Sequence, residues 1–159
     1  MSEDAVYKVL KMLGAAYGKD NIEPETAELY VRLLSDIDDR TLEQSCLEHI
    51  SKSQWFPKIS ELRKSAACMR LSIRNVPSSY QAWQEVNDGI VRYGHSNEPQ
   101  WSHPLVTQTV GSLGYYNLCM STNQVADRAR FLEAYADFRD RYIDDESTLP
   151  EIKMLTSSW

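Results

Sequence analysis

The sequence predicts an all-α protein, about eight helices in two consecutive small subdomains. Three observations predict it. Apolar residues recur at steps of three and four along most of the chain, the spacing that lines one face of a helix. No segment of useful length alternates with the period of two that a half-buried strand needs. Between Asn75 and Ser79 a polar stretch carrying Pro77 interrupts two strong helical patterns, which makes it the candidate boundary.

Taken in order, Val6, Val9, Leu10, Leu13 and Tyr17 share one face, and Gly18 is placed to stop that first helix. Pro24 opens a second run whose Ala27, Tyr30, Val31 and Leu34 repeat the pattern to about Asp36. A third helix follows the acidic turn Asp38-Asp39, where carboxylates suit the positive end of the helix, and presents Leu42, Cys46, Leu47 and Ile50. The segment SKSQWFP, residues 51–57, sets two aromatics before a proline, whose predecessor is biased away from helical geometry. It reads as a connector anchored by Trp55 or Phe56. A fourth helix starts near Lys58 and runs through Ile59, Leu62, Ala66, Met69 and Ile73.

Beyond the boundary, Ser78 and Gln81 have capping-box spacing ahead of Ala82, Trp83, Val86 and Ile90, with Gly94 as the stop. Pro104 marks a further start leading to Leu105, Val106 and Val110, closed by Gly111 and Gly114. A turn-rich stretch follows from Tyr115 to Met120. The last helix, about 122–143, carries Phe131, Tyr135, Phe138 and Tyr142 as the stripe of a second core. The predicted organisation is therefore an N-terminal bundle over 1–75, a C-terminal subdomain over 79–143 and an acidic tail over 144–159, expected to be mobile. Trp159 closes that tail after Leu149, Ile152, Met154 and Leu155, so its apolar residues dock either on this protein or on a partner.

The 159 residues are 42% hydrophobic and 25% charged, the composition of a globular chain able to build a core without disulfides or structural metal. Cys46, Cys68 and Cys119 are an odd number with no CxxC pair, and each sits in an apolar helical pattern. Buried reduced thiols and a cytoplasmic location are expected. The first residues are acidic rather than basic, and no apolar run approaches the roughly 18 residues of a membrane span, so neither secretion nor membrane insertion is expected.

Net charge is −6, unevenly spread. Residues 1–50 hold five Lys/Arg against eleven Asp/Glu, whereas residues 51–75 hold Lys52, Lys58, Arg63, Lys64, Arg70 and Arg74 against Glu61 alone. A chain acidic overall lacks the continuous basic footprint of a sequence-independent DNA binder, so weak or no nucleic-acid binding is expected. The basic helix remains the candidate partner surface, through Lys58, Arg63, Lys64, Arg70 and Arg74, with Trp159 as a further contact.

Signatures of catalysis are missing. There is no GxxxxGK[ST], strand-flanked GxGxxG, HExxH or GxSxG, so nucleotide cradling, zinc hydrolysis and esterase-type acylation lack their usual supports. Asp36, Asp38 and Asp39 read as a turn capping the third helix. His95, His103 and Glu98 share a loop but read as structural, His103 orienting the chain into Pro104. No catalytic residue, metal ligand or cofactor is assigned.

The stretch YVRLLSDIDDRTLEQSCLEHISKSQWFPKISELRKSA, residues 30–66, resembles the N-terminal helical domain of the phage replicative helicase loader and inhibitor family. Tyr30, Leu33, Leu34, Leu42, Trp55, Phe56, Pro57, Ile59, Glu61 and Leu62 carry the resemblance, and residues 79–142 look like the segment that follows such a domain in prophage proteins. The resemblance implies a non-enzymatic adaptor in phage or prophage DNA replication that binds a replicative helicase, loads or inhibits it, and delivers it to an origin-binding protein. In that family the C-terminal part is flexible, whereas here 79–142 has the caps and stripes of a folded unit. The alternative is a small DNA-binding or regulatory prophage protein using the 58–74 helix, and a third class is an enzyme with an unfamiliar motif.

Overall fold

The computed structural model describes residues 3–19 and 21–156. Among them are nine α-helices and no strand: α1 (Glu3–Tyr17), α2 (Pro24–Leu34), α3 (Asp39–Lys52), α4 (Ile59–Ile73), α5 (Ser79–Tyr93), α6 (Pro104–Leu113), α7 (Tyr115–Met120), α8 (Gln124–Ser147) and α9 (Pro150–Thr156). The all-α expectation is met. The chain divides into two units, residues 1–74 with 143–159, and residues 75–142.

In the first unit the periodic residues read from the sequence build the core. Val6, Val9, Leu10 and Leu13 of α1 meet Tyr30, Val31 and Leu34 of α2, Leu42 and Cys46 of α3, and Leu62 and Ala66 of α4. The turns between them are chemically specified. Gly18 takes φ +65°, a left-handed conformation that costs a glycine little, and Lys19 N–H bonds the Gly14 carbonyl at 2.9 Å. Pro24 stands at the first turn of α2. Asp38 caps α3 by accepting from Thr41 N–H at 2.9 Å, and Glu61 reaches back to Lys58 N–H at 2.7 Å to cap α4. All three cysteines are free; Cys46 is buried, Cys68 and Cys119 half-buried. Burial raises the Cys46 thiol to about 11, leaving it inert.

The second unit is held by Phe131 and Tyr135, both without exposure, among Ala82, Val86, Leu105, Val106 and Val110. Phe131 stacks on Tyr135 with centroids 5.9 Å apart and meets Trp83 at 5.4 Å. The Tyr135 hydroxyl donates to the Pro77 carbonyl, tying the long helix to the chain entry. Ser78 and Gln81 form the capping box foreseen for α5. His103 caps α6, its Nδ1 accepting from Leu105 N–H at 3.1 Å. The turn-rich stretch after Gly114 is helical, as α7, because Gly114 at φ +84° lets the chain turn and start again.

The C-terminal part has more regular structure than the sequence suggested. α8 continues to Ser147, past the expected end at 143, and Pro150 opens α9 inside the segment read as an acidic tail. No apolar-to-polar contrast marks the extension, since Asp144 and Asp145 simply prolong the solvent-facing side of α8. Trp159 lies outside the described residues. No helix among the described residues is long and apolar enough to cross a membrane.

Candidate partner-binding surface

The basic helix α4 does not present its charges as one face. Arg63 is 7% exposed, a correction to its expected place on a partner surface. It follows the core residue Leu62 and turns inward, where a guanidinium is tolerable only with its donors satisfied. Nη1 and Nη2 grip both oxygens of Asp36 at 2.6 and 2.8 Å, Nη1 also donates to the Leu33 carbonyl at 2.6 Å, and Nε donates to the Ser147 carbonyl at 2.7 Å. Burial pushes the Asp36 carboxyl up, but the hydrogen bonds and charge of Arg63, helped by Arg70, hold it below the usual carboxylate range.

The other arginines also face acids of this chain. Arg70 Nη2 donates to the Asp36 carbonyl at 3.4 Å and its Nε lies 4.0 Å from Asp38 Oδ2. Arg74 Nη1 lies 3.4 Å from Glu146 Oε1. The positive excess of residues 51–75 is thus largely answered by the α2–α3 turn and the end of α8. Lys58 and Lys64 are exposed and form no ion pair among the described residues, so of the basic set they alone stay open to a partner.

The connector before α4 separates its two aromatics. Phe56 points inward, edge-on between Tyr17 at 5.9 Å and Tyr30 at 6.2 Å, with Lys19 Nζ 5.1 Å above its ring. Trp55 points outward and is 73% exposed. Its backbone is nevertheless fastened. Trp55 N–H donates to Ser53 Oγ at 3.1 Å, and the Trp55 carbonyl lies 3.0 Å from His49 Nε2. Tyr17 OH donates to the Ser53 carbonyl at 3.0 Å and Tyr30 OH to the Pro57 carbonyl at 2.7 Å. Burial and the nearby Glu61 carboxylate raise the Tyr30 hydroxyl above its ordinary range, so it stays protonated as the donor this bond needs.

An exposed indole held this way loses little conformational freedom when another molecule covers it, and tryptophan is among the side chains most enriched where partners bind tightly. Sequence reasoning named both aromatics as candidate anchors without separating them. The separating signal is the pair Tyr17 and Tyr30, whose rings leave a slot for one aromatic, and it exists only once α1 and α2 are packed.

A second feature had no signal in the sequence. Between α1 and α2 lies a groove of about 340 Å³, with Leu10, Gly14, Ala15 and Ala27 along it and Lys11 and Lys19 at its rim.

The first unit is thus a small helical module closed over an aromatic-proline connector. Residues 1–63 match the family model for the N-terminal domain of the phage helicase loader and inhibitor family. The chain therefore begins with a phage helicase-related domain, as the resemblance of residues 30–66 implied. The match takes in α1 to α3, the connector and the first turn of α4; residues 64–159 lie outside it. No curated protein and no solved structure matches the chain.

Proposed function

We propose that the chain is a non-enzymatic adaptor in phage or prophage DNA replication, acting in the host cytoplasm, which binds a replicative helicase and loads or inhibits it. The observation that carries this reading is the family match of residues 1–63. The geometry of the connector supports it, since a rigidly held, exposed Trp55 beside the open Lys58 suits a protein partner with an apolar pocket and carboxylates at its edge.

Direct DNA binding is weak or absent in this reading. Arg63, Arg70 and Arg74 already answer Asp36, Asp38 and Glu146, and no continuous basic track remains among the described residues to displace counterions. An adaptor of this kind needs no chemistry of its own: it stabilises one arrangement of the helicase by binding it preferentially, and an origin-binding protein then takes over the assembly.

The test is a binding measurement between the purified chain and the purified replicative helicase of a host. The expected result is a complex that survives moderate salt and is weakened by Trp55→Ala. Absence of any complex, with tight binding of the same chain to short duplex DNA, would replace the adaptor by a DNA-binding regulator.

A further inference from the structure

The groove between α1 and α2 is built for an occupant of specific chemistry. Its floor combines buried Leu10 and Gly14 with small, more accessible Ala15 and Ala27, a composition that lets a third helix approach closely. Its rim carries Lys11 and Lys19, both exposed and without an ion pair among the described residues. They stand out in a stretch where eleven acids outnumber five bases and where Lys8, on α1 as well, is already taken by Glu43 at 3.0 Å. The two lysines are eight positions apart, about 12 Å along a helical rise. Lys19 also caps the ring of Phe56, so the groove adjoins the connector that presents Trp55.

We infer that this groove seats an acidic amphipathic helix of the partner, an apolar residue entering between Leu10 and Ala27 and two carboxylates, about two turns apart, meeting Lys11 and Lys19. The inference rests on the adaptor reading and adds the chemistry of the segment it recognises. Single-stranded DNA fits the site less well. It needs a row of stacking faces along a basic track, whereas Phe56 is turned inward between two tyrosines and the groove floor is aliphatic. A second copy of this chain is the remaining occupant, and the experiment separates it.

Two full-length variants test the assignment against the purified helicase. Lys11→Glu with Lys19→Glu reverses the rim charge, and Ala15→Leu fills the groove from its exposed side. Circular dichroism melts of both should match the parent, because all three positions are exposed. The charge variant should weaken helicase binding about tenfold at low salt with a smaller loss at high salt, and Ala15→Leu should weaken it at either salt. Sedimentation of the chain alone should be unaffected. Parent-like helicase binding by both variants overturns the groove assignment while leaving the adaptor reading intact. A helicase that fails to bind the parent overturns both. Loss of oligonucleotide binding instead of helicase binding, or a change of oligomeric state on Ala15→Leu, overturns the acidic-helix occupant in favour of DNA or of a second copy.

Discussion

Arg63 and Asp36 are joined by two parallel hydrogen bonds of 2.6 and 2.8 Å, and the same guanidinium also holds the Leu33 and Ser147 carbonyls. One side chain of α4 thus ties together the end of α2, the turn before α3 and the last residue of α8. A pair of this kind adds little over a well-packed apolar substitute, but breaking it strands a buried charge. Asp36→Asn should therefore destabilise the first unit by about 3 kcal/mol, and Arg63→Ala by a similar amount. The doubly apolar Asp36→Leu, Arg63→Met should recover part of the loss, all read from denaturant midpoints.

The same pair sets an acid limit. Asp36 titrates below its unfolded value, so the unfolded chain binds the proton first, and the stabilisation is complete above about pH 4 and lost as pH falls through the folded value. Asp38, whose carboxyl is pushed up by burial but held down overall by its bonds to Thr41, adds in the same direction. Unfolding free energy measured between pH 6 and pH 3 should fall less steeply for Asp36→Asn than for the parent.

His103 gives the second unit a separate pH response. Burial lowers its imidazole below the ordinary value, against a weaker pull from Glu85, and its cap to Leu105 requires an unprotonated Nδ1. With the folded value depressed, the contribution is full above about pH 6.5 and is lost as pH falls through the folded value. His103→Asn, which can cap without titrating, should flatten the stability of the second unit between pH 7 and pH 5.

The connector aromatics should respond in opposite ways. Phe56→Ala empties the slot between Tyr17 and Tyr30 and should cost about 3 kcal/mol, whereas Trp55→Ala should stay within about 0.5 kcal/mol of the parent. Equal losses in chemical denaturation would place Trp55 in the core.

Gly89 is buried against Trp101, and a β-carbon there would come within 2.9 Å of the indole and 3.1 Å of Pro99. Gly89→Ala should destabilise the second unit by about 1 to 3 kcal/mol through overpacking. A parent-like melting curve would mean that the loop carrying Pro99 and Trp101 yields without cost.

How much of this was legible in the sequence depended on range. Helix faces such as Val6 to Leu13, and caps such as Ser78 with Gln81, are local patterns and read directly. Arg63 did not, because its partners Leu33, Asp36 and Ser147 lie 30, 27 and 84 positions away, and a basic residue beside Leu62 looks like any solvated charge. The split between Trp55 and Phe56 was hidden because adjacent aromatics before a proline give no periodicity. The groove was invisible because Lys11 and Lys19 acquire meaning only when α2 lies against α1. The helix α9 was missed because its polar and apolar residues are too few to establish a repeat.

The central claim is that the helicase covers the connector, and oxidative footprinting of Trp55 with and without the purified replicative helicase tests it most directly. The account predicts strong oxidation of Trp55 in the free chain and clear protection in the complex, while buried Trp101 reacts little in either state. A stable complex in which Trp55 oxidises as fast as in the free chain would contradict it.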